Sequence, residues 1–164
     1  MRYLVIGSDF MDNEILAILD SFPPVESSSG DFKFTASTVY QPPASMQEIK
    51  DWEERSSCRA GVLNDLWSVT RTTRLYYSNG GSGLTLLSPE DSALASVLGY
   101  ELDEDGFHER DVVIGKFEVI PDSIIYSPEE DVILWAGVID SRDDWDRFES
   151  VANFLGEYKN YPNL

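Results

Sequence analysis

Three short runs of strand-forming residues in the second half of the chain constrain its fold more than any other feature. Residues 112–117, 123–126 and 132–138 are rich in Val, Ile and aromatic side chains, which favour β-strands. Only short segments with the turn signals Pro121-Asp122 and Pro128-Glu129-Glu130 separate them. Consecutive strands joined by turns are typical of a meander, so we predict a β-meander here.

Further extended segments are predicted upstream of the meander. Residues 75–77 and 84–87 have the composition of strands, and the glycine-rich residues 78–83 between them permit a turn. Residues 32–40 predict another extended segment. The polar residues 26–30 before it have the composition of an exposed loop.

The clearest helix signal is at residues 45–48. Ser45 and Glu48 match a capping box, in which the Ser hydroxyl and the Glu carboxylate each accept a hydrogen bond from a free backbone N–H group. Met46, Ile49 and Trp52 then fall on one face of the predicted helix. We therefore predict a helix that begins after Ser45 and packs against the core.

Apolar spacing and capping residues predict four more helices. They cover residues 12–19, residues 62–69, a segment opened by Ser88-Pro89-Glu90-Asp91, and residues 145–158. Trp145 and Phe148 are predicted to lie on the buried stripe of the last helix. Helices, then a meander, then a closing helix indicate the α+β class. A length of 164 residues predicts one domain, residues 1–164.

The chain is strongly acidic. It contains 30 Asp and Glu residues against 12 Lys and Arg residues, which gives a formal net charge of −18. Such a field repels nucleic-acid phosphates and anionic membranes, so neither is a predicted partner. A basic protein fits the charge better. Hydrophobic residues make up 42% of the chain, which is enough for a folded core.

The negative charge is concentrated in residues 101–150, which contain 16 acidic and 4 basic residues. A solvated face that aids solubility is one interpretation. The other is a negative surface that attracts a basic protein and rejects acidic competitors. The second interpretation predicts these partner-binding residues: Glu101, Asp103, Glu104, Asp105, Glu109, Asp111, Glu129, Glu130, Asp131, Asp143, Asp144 and Asp146.

Residue types that carry chemistry are scarce. His108 is the only histidine and Cys58 the only cysteine, which excludes multi-histidine metal sites and an internal disulfide. Residues 101–106 resemble the start of a calcium loop, but Val112 stands where that loop needs a glutamate. Residues 80–83 lack the Gly-Lys-Ser/Thr of a phosphate-binding loop. We therefore predict no metal, no cofactor and no enzyme, with a carboxylate-dependent hydrolase as an open alternative.

The predicted compartment is the cytoplasm. A single cysteine is typical of a reducing environment, and residues 1–9 lack the apolar region of a secretory signal. The longest uncharged run, residues 75–89, is too short and too polar to span a bilayer.

The order of these segments resembles the SUKH superfamily of Smi/Knr-like proteins. The similarity covers residues 42–158 and leaves residues 1–41 as an N-terminal helix and extended segment. Its motifs are Pro42-Pro43-Ala44-Ser45, residues 63–70, Leu86-Leu87-Ser88-Pro89-Glu90, Val113-Ile114-Gly115, residues 132–135 and residues 145–158. The resemblance implies helices packed against a mainly antiparallel sheet, without catalytic residues.

The family also suggests a function. Its bacterial members are immunity proteins that bind and neutralise a cognate toxin, often a nuclease, and its fungal members act in cell-wall regulation through protein contacts. The resemblance therefore implies a protein-binding domain whose partner is a cognate toxin, and the net charge of −18 favours a basic one. A regulatory or scaffold protein of the same fold is the alternative, and the oligomeric state is open.

Overall fold

The sheet of this protein contains more of the chain than the meander alone. The computed structural model describes residues 8–29, 31–77, 83–97, 106–137 and 140–161. Within them, eight strands form one antiparallel sheet whose spatial order follows the chain. The strands are β1 (Val25–Ser29), β2 (Phe32–Tyr40), β3 (Thr73–Tyr77), β4 (Leu84–Leu86), β5 (Val112–Phe117), β6 (Ser123–Ser127), β7 (Val132–Ala136) and β8 (Asp146–Phe148).

Helices are inserted between the strands and follow the last one. In the described residues they are α1 (Ser8–Asp20), α2 (Met46–Ser56), α3 (Leu63–Trp67), α4 (Pro89–Val97) and α5 (Val151–Tyr158), with a single-turn 3-10 helix at Arg142–Asp144. None of these helices has the length and apolar character needed to cross a membrane. The α+β class, the meander β5–β7 and the pair β3–β4 are confirmed.

The expectation of an exposed loop is wrong for residues 26–29, while Gly30 lies outside the described residues. β1 pairs with β2 in register from Val25 opposite Ala36 to Ser29 opposite Phe32. The two strands are joined by residues 30–31 alone, so the hairpin geometry brings a polar segment into the sheet. β1 lies at the edge, where a polar sequence is tolerated because water solvates its open side.

The predicted C-terminal helix begins later than expected. Trp145 has extended backbone angles, with φ −71° and ψ 139°, and Phe148 lies in β8 opposite Ile133. The helix starts at Val151, because the Ser150 side chain caps it by accepting a hydrogen bond from the backbone N–H of Asn153. Trp145 and Phe148 are both buried as expected, but Trp145 lies in a turn and Phe148 in a strand rather than in a helix.

The main core lies between the helices and one face of the sheet. Large aromatic side chains fill it, and Trp52 contacts Trp67 edge to face with ring centroids 4.9 Å apart. Tyr76 and Tyr158 pack at 5.8 Å and connect β3 to α5. The Tyr76 hydroxyl also donates a hydrogen bond to the Lys159 carbonyl, which ties the end of α5 to the sheet.

A second, smaller core lies on the opposite face of the sheet. Ile125, Leu134 and Ala136 alternate along β6 and β7 with residues of the main core, so their side chains point the other way. Phe107 and Trp145 cover them and contact each other at 5.0 Å. The segments before β5 and before β8 are therefore packed onto this face rather than free in solvent.

The capping box of α2 is confirmed. The Ser45 hydroxyl accepts from the Glu48 backbone N–H, and the Glu48 carboxylate accepts from the Ser45 backbone N–H. The pKa of Glu48 is lowered mainly by the hydrogen bond from the Ser45 backbone N–H, and to a smaller extent by the hydrogen bond from Arg71.

Replacing the capping serine should destabilise the protein by a small, measurable amount. We expect Ser45→Ala to lower the free energy of unfolding by about 1 kcal/mol, because one N-terminal N–H group loses its acceptor. Urea denaturation followed by circular dichroism measures this. Ser28→Ala, at an exposed position of β1, is the control and should change stability by less than about 0.5 kcal/mol. Equal losses in the two variants would contradict the capping role.

Candidate functional site

Arg142 joins three acidic segments that are far apart in the chain. Its guanidinium donates hydrogen bonds to the Asp111 carboxylate, to Glu130 Oε1 at 3.4 Å and to Ser127 Oγ at 3.2 Å. It also donates to the Gly106 carbonyl at 3.2 Å. The Arg142 side chain is 11% exposed and that of Asp111 only 1%, so their ion pair is buried.

The sheet topology explains why these segments meet. Asp111 directly precedes β5, and residues 128–131 connect β6 to β7. In the antiparallel register, Val112 lies opposite Tyr126 and Ser127 opposite Val132, which places both segments at one end of the sheet. Residues 140–145 lie between β7 and β8 in the chain. Arg142 of this segment contacts Ser127 at the end of β6, and Asp146 then pairs with Trp135 of β7.

We use the name acidic surface for residues 106–111, 128–131 and 140–146. Eight of the predicted partner-binding residues belong to it, whereas Glu101, Asp103, Glu104 and Asp105 lie outside the described residues. The structure exposes seven of the eight: Glu109, Glu129, Glu130, Asp131, Asp143, Asp144 and Asp146.

The prediction for Asp111 needs correction. Its carboxylate is buried under Arg142 and also accepts a hydrogen bond from the His108 backbone N–H at 2.8 Å. It is therefore engaged inside the fold and does not contribute to the exposed charge of the acidic surface. Glu130 is partly engaged in the same way, because Arg142 and Arg147 both contact its carboxylate.

Asp131 is exposed but held in place. Its Oδ1 accepts hydrogen bonds from the Val62 backbone N–H at 3.1 Å and from the Tyr126 hydroxyl at 2.9 Å. Burial and then this hydrogen bond raise the pKa of Tyr126, so the phenol stays protonated as a donor. A Cβ at Gly61 would lie 2.1 Å from Asp131 Oδ1, and Gly61 has φ +52°, so this close approach requires glycine.

A groove opens where residues 140–146 meet the end of β7. It encloses about 510 Å³, part of it open to solvent. Its lining combines four carboxylates with three aromatic rings: Asp122, Asp140, Asp144, Asp146, Trp135, Trp145 and Tyr161, beside Gly137. We call it the acid–aromatic groove.

Hydrogen bonds fix the aromatic walls of the acid–aromatic groove. The Trp135 indole N–H donates to Asp122 Oδ2 at 3.0 Å, and the Trp145 indole N–H donates to the Asp140 carbonyl at 3.2 Å. Trp135 and Tyr161 meet edge to face with ring centroids 5.7 Å apart. Phe117 stacks on Trp135 at 5.1 Å and supports it from the main core.

Basic side chains lie near the acid–aromatic groove without pairing with its carboxylates in the described residues; the Arg142 guanidinium is 5.6 Å from the centre of the Trp145 ring. Within the described residues, no Lys or Arg forms an ion pair with any of its four carboxylates. Arg142 and Arg147, the basic residues nearest in sequence to Asp140, Asp144 and Asp146, instead contact Glu130. The groove therefore has a negative potential that an incoming cation can neutralise.

Comparison with known proteins adds no relative. No protein-family model, curated protein or solved structure matches this chain. Its function must therefore be inferred from the chemistry of its surfaces.

The other candidate residues are less informative. His108 is exposed, and its Nδ1 lies 3.6 Å from Glu129 Oε2. Burial raises the pKa of the Cys58 thiol, which disfavours the reactive thiolate. In the described part of the chain, no three His, Cys, Asp or Glu residues are placed to hold a metal ion. A second groove, between α2 and α4, contains Arg55 beside its acidic residues.

Sequence reasoning missed two features of this region. Arg142 is a single basic residue inside an acidic segment, and its charge alone did not indicate that it would be buried. The acid–aromatic groove combines Asp122, Trp135 and Tyr161, which lie in three separate segments. No local pattern connects such residues, because the register of β6 and β7 places Asp122 near Trp135 and the segment after α5 brings Tyr161 against the Trp135 ring.

Proposed function

We propose that this chain is a non-enzymatic protein-binding domain of the immunity type, which binds and neutralises a basic protein toxin such as a nuclease. The observation that carries the proposal is the acidic surface. Segments separated in sequence meet there and expose eight carboxylates. The resemblance to the SUKH superfamily supports it independently, and a toxin acting inside the cell would place the protein in the cytoplasm.

The electrostatic argument has two parts. A nuclease needs a basic surface to hold its substrate, because nucleic acids carry a negative charge on every phosphate. An acidic protein can compete for that surface and is also steered toward it, which raises the association rate constant. Internal pairing leaves most of this charge available, since Asp111 and Glu130 are the carboxylates that Arg142 and Arg147 pair with in the described part of the chain.

Co-expression tests the function directly. The protein is produced together with the product of each adjacent gene, and growth and co-purification are measured. We expect one neighbour to inhibit growth alone, and this protein to restore growth and co-purify with it. If no neighbour is toxic, or if a toxic neighbour is neither bound nor neutralised, the immunity role is wrong. Binding to a harmless neighbour would instead favour the scaffold alternative.

Charge reversal tests the surface. Glu109, Glu129 and Asp143 are exposed and lie on three different segments of the acidic surface. We expect their replacement by Lys to lower the association rate constant for the toxin by about tenfold or more, because steering depends on the field near the contact. Stopped-flow fluorescence at low salt and at 0.15 M measures it. Charges farther away than about 8 Å are screened at the higher salt, so the difference between variant and wild type should shrink there.

A matched variant controls for net charge. Glu14, Glu26 and Asp31 are also exposed, but none belongs to the acidic surface: Glu14 lies on α1, whereas Glu26 on β1 and the adjoining Asp31 lie at the far edge of the strand order. Their replacement by Lys changes the net charge by the same amount as the first triple variant does, but it should reduce the association rate constant much less. If both triple variants slow association equally, net charge and not the acidic surface attracts the partner.

A further inference from the structure

We propose that the acid–aromatic groove receives an arginine side chain of the protein partner. This inference rests on the proposed function and identifies the residue type that the partner presents to this part of the surface. It is carried by the cavity itself, whose walls are aromatic and whose rim is acidic. A planar guanidinium can use both at once, because it stacks on aromatic rings and donates paired hydrogen bonds to carboxylates.

Two of the three aromatic walls, Trp135 and Tyr161, are accessible, whereas Trp145 is buried with 4% of its surface exposed. Trp135 is half-buried, supported by Phe117 and held by Asp122, while Tyr161 is 41% exposed. Their rings therefore need no rearrangement before a ligand binds, which keeps the entropic cost of binding low. The chain already holds one guanidinium in a comparable way, since that of Arg142 lies 5.6 Å from the centre of the Trp145 ring.

Charge selects a cation for the groove. Asp140 and Asp146 are exposed on its rim, and neither is ion-paired within the described residues. A neutral or acidic side chain would bring no compensating charge to this site. The accessible rings of Trp135 and Tyr161 favour an organic cation that contacts aromatic faces.

The test is a peptide titration followed by NMR. The ¹⁵N-labelled full chain is titrated with acetyl-Gly-Arg-Gly-amide and, separately, with the same peptide carrying citrulline, a neutral analogue of arginine. We expect the arginine peptide to shift the indole N–H signals of Trp135 and Trp145, and the citrulline peptide to shift neither. Equal shifts with both peptides, or shifts elsewhere only, would overturn the proposal. The same peptide with Lys in place of Arg should bind at least threefold more weakly than the arginine peptide. Equal affinities of the two peptides would overturn the choice of arginine.

Variants locate the binding. The double variant Asp140→Asn with Asp146→Asn should bind the arginine peptide at least fivefold more weakly than the wild type. Glu54→Gln, at an exposed site on α2, should bind it within twofold of the wild-type affinity. The spectra themselves show whether each variant is folded. An unchanged affinity in the folded double variant would contradict the groove as the site.

The titration needs no toxin, so its outcome is separate from that of co-expression. If growth is rescued but the peptide does not bind, the groove inference fails and the proposed function stands. If the peptide binds but no adjacent gene product is neutralised, the groove is an arginine site and the proposed function fails.

Discussion

Replacing Arg142 by methionine should lower the free energy of unfolding by about 3–5 kcal/mol, because it leaves the Asp111 carboxylate buried without a cation. The Asp111 side chain is 1% exposed, so water cannot replace the lost partner. The Gly106 carbonyl and the Ser127 hydroxyl lose a donor in the same variant. Urea denaturation followed by circular dichroism measures the change.

Two controls separate the buried charge from other effects. The double variant Arg142→Met with Asp111→Leu removes both charges, and we expect it to recover most of the lost stability. Arg147→Met removes an exposed contact with Glu130 and should cost less than about 1 kcal/mol. If Arg142→Met costs no more than Arg147→Met, the buried pair does not stabilise the fold.

The same variant should loosen the second core before the main core. Arg142 fixes the segment that carries Trp145, and Trp145 covers Ile125 and Leu134 on that face of the sheet. Hydrogen exchange should therefore speed up first in β6 and β7. It should stay slow in α2, whose Trp52 packs in the main core.

Local signals in the sequence predicted the elements that depend on few residues. The capping box at Ser45 and the proline at the start of α4 each act within one helical turn, so their sequence alone indicates a helix start. The strands of the meander are equally local, since their residues favour β-structure and their turns are short.

The errors arose where a partner element decides the structure. Trp145 and Phe148 stand three residues apart, a spacing that fits a helix, yet pairing with β7 makes residues 146–148 a strand. The signal that could have corrected this is Ser150, a favoured N-cap residue before Val151. Likewise, Gly30-Asp31 is a typical two-residue hairpin connection, and it could have indicated β1.

In the candidate site, too, the sequence predicted local properties but not those that depend on a distant residue. The sequence located the negative charge in residues 101–150, and the described acidic residues there are mostly exposed. It did not distinguish Asp111 from its neighbours, because charge counting carries no information about burial. That distinction depends on Arg142, which is 31 residues away in the chain.

Replacing Trp67 by alanine should lower the free energy of unfolding by about 3–5 kcal/mol, as is usual when a buried aromatic side chain is truncated. Trp67 is 0% exposed and packs edge to face against Trp52. Its indole N–H donates to the Leu87 carbonyl at 3.0 Å and so connects α3 to the segment after β4. Truncation removes this donor as well as the packing, and the main core then contains a cavity.

Two other variants serve as comparisons for Trp67→Ala. Trp67→Phe keeps a ring but loses the donor, so it should cost less than Trp67→Ala and stays measurable if the alanine variant does not fold. Met46→Ala, at a position 75% exposed on α2, should change stability by less than about 0.5 kcal/mol. A loss below about 1 kcal/mol for Trp67→Ala would mean that the aromatic core is not the main source of stability. Because Trp67 lies in the main core and not on the acidic surface, the folded fraction of Trp67→Phe should still bind the arginine peptide with wild-type affinity.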